Sequence, residues 1–288
     1  MSLLLVKLSL APLLVVGSSL AGRRWGHEIS GLLVALPLVA GPILLITDLE
    51  RGAHFAAHAA AASLLGLVAL ASFVVVFTRA ARGRGWALAV AAGWIAFLLV
   101  ALAFSTSPIP PGIGLVLAVG AFALAPTLMP PDPHFDGMPI GELPAWDLPA
   151  RAIATALLVL GLTGAAAGLG PRLTGVLTPF PVSTSVLAAF VLVQDGPLHM
   201  NALLRGFLRG AFGFAVFCFL AAVLLLPTGT FAAFTLALCG ALAAQLIARL
   251  IHRSRAVASE VAPPPHRRAR AARLADEPTA TDSVRALP

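Results

Sequence analysis

Apolar residues fall into nine runs, at about 3–21, 31–47, 54–77, 86–104, 112–128, 151–168, 175–193, 199–226 and 230–251. Most are long enough to carry a helix across a hydrocarbon core ~30 Å thick; 31–47 and 112–128 are marginal. Gly, Pro and polar residues punctuate them: Gly22-Arg23-Arg24, Asp48 to Gly52, Arg79 to Gly85, Ser105 to Pro111, Gly170-Pro171-Arg172, Gln194 to Pro197 and Pro227-Thr228-Gly229. The pattern predicts an all-α, polytopic membrane protein of about nine transmembrane helices. The first run ends in Ser19-Leu20-Ala21, which fits a small-x-small cleavage site, but it lacks a basic leader because Lys7 lies inside it. It reads as a retained helix.

Composition agrees. Of 288 residues, 59% are hydrophobic and 11% charged, where a soluble domain carries roughly 25% charged residues. Mean hydropathy is +0.96. The 252 residues before the polar tail (253–288) leave room for about eight to ten spans. The net charge of +7 would suit nucleic acid if it formed a patch. Most of it instead sits at loop ends and in the tail, where the positive-inside rule accounts for it. No nucleic-acid partner is therefore expected. Lys7 is the single Lys among 19 basic residues. That Arg usage, with much Ala and Gly, points to a high-GC bacterial genome and the bacterial inner membrane. Cys218 and Cys239 lie inside apolar runs and build neither a disulfide framework nor a zinc knuckle.

Shifted by 144 residues, the sequence aligns with itself without a gap. Leu13-Leu14-Val15-Val16-Gly17 meets Leu157-Leu158-Val159-Leu160-Gly161, and Gly26 and Gly31 meet Gly170 and Gly175. Leu33 and Pro37 meet Leu177 and Pro181; Gly52, Gly66, Phe73 and Gly85 meet Gly196, Gly210, Phe217 and Gly229. Matched Leu or Ala arises by chance in such helices. Matched Gly and Pro at one offset mark specific backbone requirements and point to an internal duplication. The chain then divides into a first four-helix repeat (1–104), a linker helix with an acidic loop (105–144), a second four-helix repeat (145–252) and a basic tail without fixed fold (253–288).

The lone fifth helix decides the orientation. With five spans from the start of one unit to the start of the next, the repeats are inverted. Nine spans with a cytoplasmic C-terminus put the N-terminus outside. Arg23, Arg24, Arg79, Arg82, Arg84 and Arg151 then fall inside with the tail's arginines, as the positive-inside rule requires. Eight spans would move the Arg23-Arg24 pair and the 79–84 cluster outside. The loop with Asp132, Asp136, Glu142 and Asp147 would be cytoplasmic, and acidic residues contribute little to orientation.

Enzyme signatures are missing: there is no phosphate loop, no H-E-x-x-H and no G-x-S-x-G. Neither an enzymatic activity nor a cofactor is expected. The matched prolines are the leading candidate for a site. Proline removes a backbone donor and clashes with the preceding turn. Pro37 is reinforced by Gly41 and Pro42, and Pro181 by Pro179. Interrupted helices at corresponding places in inverted halves point to a transporter's binding site. Ser183, Thr184 and Ser185 follow Pro181 and can supply hydroxyls to it, opposite the apolar or small Val39, Ala40 and Gly41. The two turns are expected to border a common cavity. The alternative is a packing kink with back-bonded hydroxyls.

Two further groups bear charge. Arg205 and Arg209 share a helix face near the inner end of run eight, and either gate or contact an anion or snorkel to the interface. Glu50, His54 and His58 stand four residues apart near the outer surface, a spacing that suits a polar helix cap, proton exchange or, least, a metal. Asp195 and His199 echo that spacing in the second repeat. Gly206, Gly210 and Gly213, with Gly66, suit close helix contact.

The plan of two inverted units with broken helices resembles secondary transporters. It is similar to the drug/metabolite transporter superfamily, whose members use inverted five-helix halves. The second half here has four helices, no diagnostic motif of that group is present, and the likeness is one of architecture alone. It implies a permease moving a small molecule by alternating access, and the hydroxyls at 183–185 opposite the apolar or small residues at 39–41 suit a partly apolar one. The alternatives are a non-catalytic membrane scaffold or accessory subunit, which would be solidly packed at the proline turns, and a lipid-modifying membrane enzyme, which would cluster ionisable groups at one interface. The expected partners are the lipid bilayer and a small-molecule substrate, and a homo-oligomer is one option the sequence permits.

Overall fold

The computed structural model describes residues 2–36, 40–83, 85–105, 109–131, 146–165 and 171–261. Among them the chain forms eleven α-helices and no strand: α1 Ser2–Trp25, α2 His27–Val34, α3 Ala40–Arg51, α4 Ala53–Ala80, α5 Trp86–Ser105, α6 Pro111–Leu128, α7 Asp147–Ala165, α8 Pro171–Leu177, α9 Val182–Gln194, α10 Pro197–Thr228 and α11 Thr230–Val261. Seven of the nine apolar runs are helical over all their described residues, and the runs at 31–47 and 175–193 are helical on either side of a break. Among the described residues, six stretches are long and apolar enough to cross a membrane: Ala53–Ala80, Trp86–Ser105, Pro111–Leu128, Gly175–Gln194, Pro197–Thr228 and Thr230–Ala248. Large apolar side chains on α5 and α6, such as Leu99, Leu102 and Val116, face outward and are more than 60% exposed. A water-soluble surface would not carry such a continuous apolar face, and a bilayer accommodates it.

The chain divides into two compact units, Met1–Gln245 and Leu246–Pro288. The described part of the second is the final stretch of α11, which stays helical past Ile251 to Val261. The sequence expectation of an unfolded tail from 253 therefore begins too early, because nothing before Pro263 interrupts the helical backbone. Residues 262–288, with the Pro263-Pro264-Pro265 run, lie outside the described residues, as do Pro37, Arg84 and the acidic loop residues Asp132, Asp136 and Glu142.

Several junctions are tighter than the polar punctuation suggested. Helix α1 runs through Gly22-Arg23-Arg24 to Trp25, and α10 runs through Pro227 to Thr228. The turns fall on single glycines. Gly52 (φ 85°) and Gly196 (φ 87°) cap α4 and α10 in a backbone region that a side chain disfavours. They are 144 residues apart.

The second and seventh apolar runs are each broken in two. In the first, Ala35 and Leu36 donate to Gly31 O and Leu33 O as α2 ends. The following Pro37 has no N–H to continue the ladder and biases Leu36 away from the helical region. In the second, Thr178 and Phe180 close the end of α8 on Gly175 O and Leu177 O, and α9 starts after Pro181. The carbonyl of Gly175 also meets Ser63 Oγ at 3.0 Å, so a hydroxyl from another helix shares the group that the break leaves under-used.

Each broken run packs by direct backbone contact on a long helix from the other half. Helix α2 lies on α10, α8 lies on α4, and α4 and α10 lie against one another. A Cβ at Gly31 would overlap the carbonyl of Leu203, and one at Gly175 would overlap that of Ala59. A Cβ at Gly66 would meet Val176 O, and one at Gly210 would meet Leu32 O at 2.8 Å. Leu203 and Ala59 are 144 residues apart, and so are Val176 and Leu32. The contacts thus occur as exchanged pairs 144 residues apart. Between them, α4 supplies the centre of the core, with Leu64, Leu67, Phe73 and Phe77 fully enclosed.

These contacts leave no room for a methyl group. Gly31→Ala and Gly175→Ala are expected to lower unfolding stability by about 1–3 kcal/mol, the range for overpacking. Gly17→Ala, which meets open space, should leave the melting temperature unchanged. Thermal unfolding of the detergent-purified variants measures the contrast.

Candidate functional site

The described residues place the proline-turn candidates in two packed settings. Pro179 and Pro181 are buried, and Pro179 Cδ would lie 2.9 Å from a Cβ at Gly66 of α4. Phe180 stacks against Trp94 (5.6 Å between centroids) and meets Phe97 edge-on (5.2 Å). Ser185 donates to Pro181 O and accepts a 2.8 Å bond from Trp94 Nε1. Thr184 is buried and Ser183 half-buried. In the other half Gly41 is buried, with Phe217 Cζ of α10 at 3.4 Å from the position of a Cβ, and Pro42 is half-buried. The two breaks therefore lean on different members of the central α4–α10 pair. The expected common cavity falls in part on residues 37–39, outside the described ones. A groove of about 550 Å³ lies elsewhere, along α1, lined by Leu13, Leu14, Gly17 and Leu33 with Arg24 and Trp25 at its end.

The charged candidates find protein partners. Arg209 pairs with Glu28, and Arg205 Nη2 donates to Pro130 O at 3.0 Å. Glu50, His54 and His58 are all exposed. Gly52 ends α3 and starts α4, so Glu50 stands on a different helix from the two histidines, and the single ligand-bearing face that the spacing suggested does not form across all three. Among the described residues, no group of three His, Cys, Asp or Glu side chains is placed to hold a metal.

Polar groups converge instead at one end of the bundle, where α1, α2, α7, α9 and α10 begin or end. Arg151, 2% exposed, lies one turn into α7 and donates through Nε to both oxygens of Asp147 (2.8 and 3.0 Å). Its Nη2 donates to Gln194 Oε1 at 2.7 Å, and Gln194 returns a 2.7 Å bond from Nε2 to Asp147. Arg23 from the end of α1 adds a 3.0 Å bond to Asp147, and Ser19 faces Arg151 Nη1 at 3.4 Å. The guanidinium lies 5.1 Å from the Phe190 ring. Burial alone would raise the Asp147 carboxyl, but the bonds from Arg151, Gln194 and Arg23 outweigh it and hold the group below its ordinary range.

Next to this satisfied network stands an incompletely satisfied one. His27 begins α2 and Asp195 follows α9, and both side chains are more than nine-tenths buried. His27 Nε2 lies 3.3 Å from Asp195 Oδ2, yet neither atom has an aligned hydrogen-bond partner among the described residues. His199 Nδ1 sits 2.7 Å from the Asp195 carbonyl, and its ring meets that of His27 edge-on at 5.1 Å. Burial, then the neighbouring His199 and Arg151, lowers His27 from 6.5 to about 4. Burial also raises Asp195, against the pull of His199 and Arg151. Both shifts favour the uncharged forms.

The sequence held two signals for this cluster. Asp195 and His199 were visible as an i, i+4 pair, and Asp147 and Arg151 have the same spacing at the start of a span. Nothing in their spacing tied them to His27 or Gln194, which come from other helices.

The sign of the pH dependence follows. Between about pH 6.5 and about pH 4 the unfolded chain protonates His27 and the folded chain does not, so stability falls as pH falls through that window. His27→Gln should flatten this part of the melting-temperature profile. Asp147→Asn, which strips a buried arginine of its carboxylate, should cost about 3–5 kcal/mol, read as lost thermal stability at neutral pH.

No protein-family model, no curated protein and no solved structure matches this chain.

Proposed function

We propose that the protein is a secondary transporter that moves a small, partly apolar molecule across the bacterial inner membrane by alternating access, with nine crossings and two inverted four-helix repeats. The observation that carries this reading is the pair of broken helices, each docked through glycine on the long third helix of the opposite half. The two docked pairs, α2 on α10 and α8 on α4, can rock against one another without breaking the glycine contacts inside either pair, which alternating access requires.

Contacts at the helix ends support the nine-crossing alternation. Arg23 meets Asp147, and Arg79 and Arg82 donate to Leu128 O and Pro131 O. Arg151 meets Gln194. Arg205 and Arg209, near the start of the eighth run, meet Pro130 after the fifth and Glu28 after the first, so the ends of the first, third, fifth and seventh runs share one end of the bundle with the starts of the sixth and eighth. Thr230 at the start of α11 donates to Asp48, whose run finishes at the other end. In this reading Ser183 and Thr184 line the substrate path with Gly41, Pro42 and Pro181, and Arg205 and Arg209 close its cytoplasmic side through Pro130 and Glu28.

A second reading, a non-transporting scaffold, is favoured by one observation: Pro179, Phe180 and Ser185 are occupied by Gly66, Trp94 and Phe97 rather than by open space. A thermal-shift screen of the purified full chain against metabolites separates the two. A transporter should be stabilised by a specific small molecule, by about 2.7 kcal/mol at a hundredfold excess over Kd. The double change Ser183→Ala, Thr184→Ala should weaken that response with unliganded melting unchanged. No stabilising ligand, in a protein that also fails to carry metabolites into proteoliposomes, would leave the scaffold reading. Accessibility tags should place the two termini on opposite sides of the membrane.

A further inference from the structure

We infer that Asp195, with His27 beside it, holds one exchangeable proton at the inner end of the bundle, and that this proton is the ion coupled to transport. The second half of that statement rests on the transporter reading; the first stands on the geometry of the pair.

The Asp195 side chain is 4% exposed and His27 is 8% exposed. Each presents a polar atom to the other at 3.3 Å, and neither atom has an aligned partner among the described residues. An ionised carboxylate oxygen left in that position bears the full cost of burial. A proton on Oδ2 removes the charge and supplies a rotatable O–H donor. The other buried carboxylate of the cluster, Asp147, is in the opposite condition: three side chains donate to it, so it has no need of a proton. Two carboxylates in adjacent surroundings are thereby separated into a fixed anion and a titrating group.

The charged and titratable groups around Asp195 come from four of the five elements packed on α9, the fifth, α5, having no titratable side chain. Arg23 reaches in from α1, His27 from α2, Asp147 and Arg151 from α7, and His199 from α10. Arg23 and Arg151 favour the anion, while Asp147 and burial favour the acid. The balance shifts if either arginine moves. The pair joins elements on both sides of the proposed rocking motion: His27 starts the broken helix docked on α10, and Asp195 closes the broken run docked on α4. Movement of one unit against the other would lengthen the contact and open Asp195 to water and to Arg151, releasing the proton. Return would restore it. No other reactant is required, since the step is a proton transfer between Oδ2 and water.

Infrared difference spectroscopy of the full chain in lipid nanodiscs, titrated from about pH 5 to about pH 9, the span in which a buried carboxyl can titrate, tests this directly. Wild-type protein carrying isotope-labelled aspartate should display a protonated carboxylic-acid C=O band at neutral pH that shifts with the label and is lost on alkalinisation. Asp195→Asn should remove the band, and His27→Gln should shift its midpoint. If Asp195→Asn does not fold, the labelled wild-type titration decides alone. Absence of an aspartic-acid band at neutral pH, or a band that survives in Asp195→Asn, would overturn the proton site and leave the transporter reading to the ligand screen. A band that behaves as expected, in a protein whose ligand uptake into proteoliposomes ignores an imposed pH gradient, would overturn the coupling while leaving both the proton site and transport standing.

Discussion

A helix can be interrupted within a bilayer only where protein or enclosed water takes over the hydrogen bonds that the break releases. This constraint organises the molecule. Two of its apolar runs are broken by proline, and each has a helix from the other half pressed against it closely enough that glycine is the only residue that fits. Ser63 of α4 reaching Gly175 O is the visible form of the compensation. Close approach and satisfied carbonyls are the same feature seen twice: a side chain at Gly66 or Gly175 would hold the helices apart and strip the break of its partners.

The exchange of partners also explains why α4 and α10 occupy the centre. Each must receive the broken helix of the opposite half and still pack on its counterpart, which places these two at the centre, while α5 and α6 turn apolar side chains outward. The bundle is held by shape at its middle. There is no water in a bilayer core to drive apolar surfaces together, so association depends on dispersion contacts between surfaces that fit, and small residues set how near the backbones come.

Charge is handled differently. Arg151 and Asp147 sit where the helices end, fully enclosed, and Gln194, Ser19 and Arg23 complete their hydrogen bonds. A pair that well satisfied ties α1, α7 and α9 together at one end, where a misplaced partner would leave a bare buried charge. His27 and Asp195 adjoin it without sharing its bonds. The contrast between a saturated network and an unsaturated pair a few ångströms away gives this end of the molecule its chemical interest, whereas the proline turns are filled by aromatic side chains on one side.

The helical, membrane-embedded character of the chain was legible from its apolar runs, because a span needs only length and low charge. So were the two interrupted helices, since proline acts on its own backbone wherever it stands. The paired glycines pointed to close contacts, but not to which carbonyls they would meet. Single-residue glycine turns escaped the reading because the polar residues around them drew the boundaries instead: Arg23 and Arg24 lie within α1, and Gly52 separates Glu50 from the histidines with which its spacing had grouped it. Asp147 and Arg151 read only as charge that bears on orientation, Gln194 as punctuation between runs, and Asp195 with His199 as a spaced pair that nothing tied to His27. Local sequence determines where a helix can start, stop or break, because those events involve a few consecutive residues. Which side chains share a proton or a carboxylate depends on how five helix ends from distant parts of the chain are brought to one place, and only the packing of the long helices between them decides that.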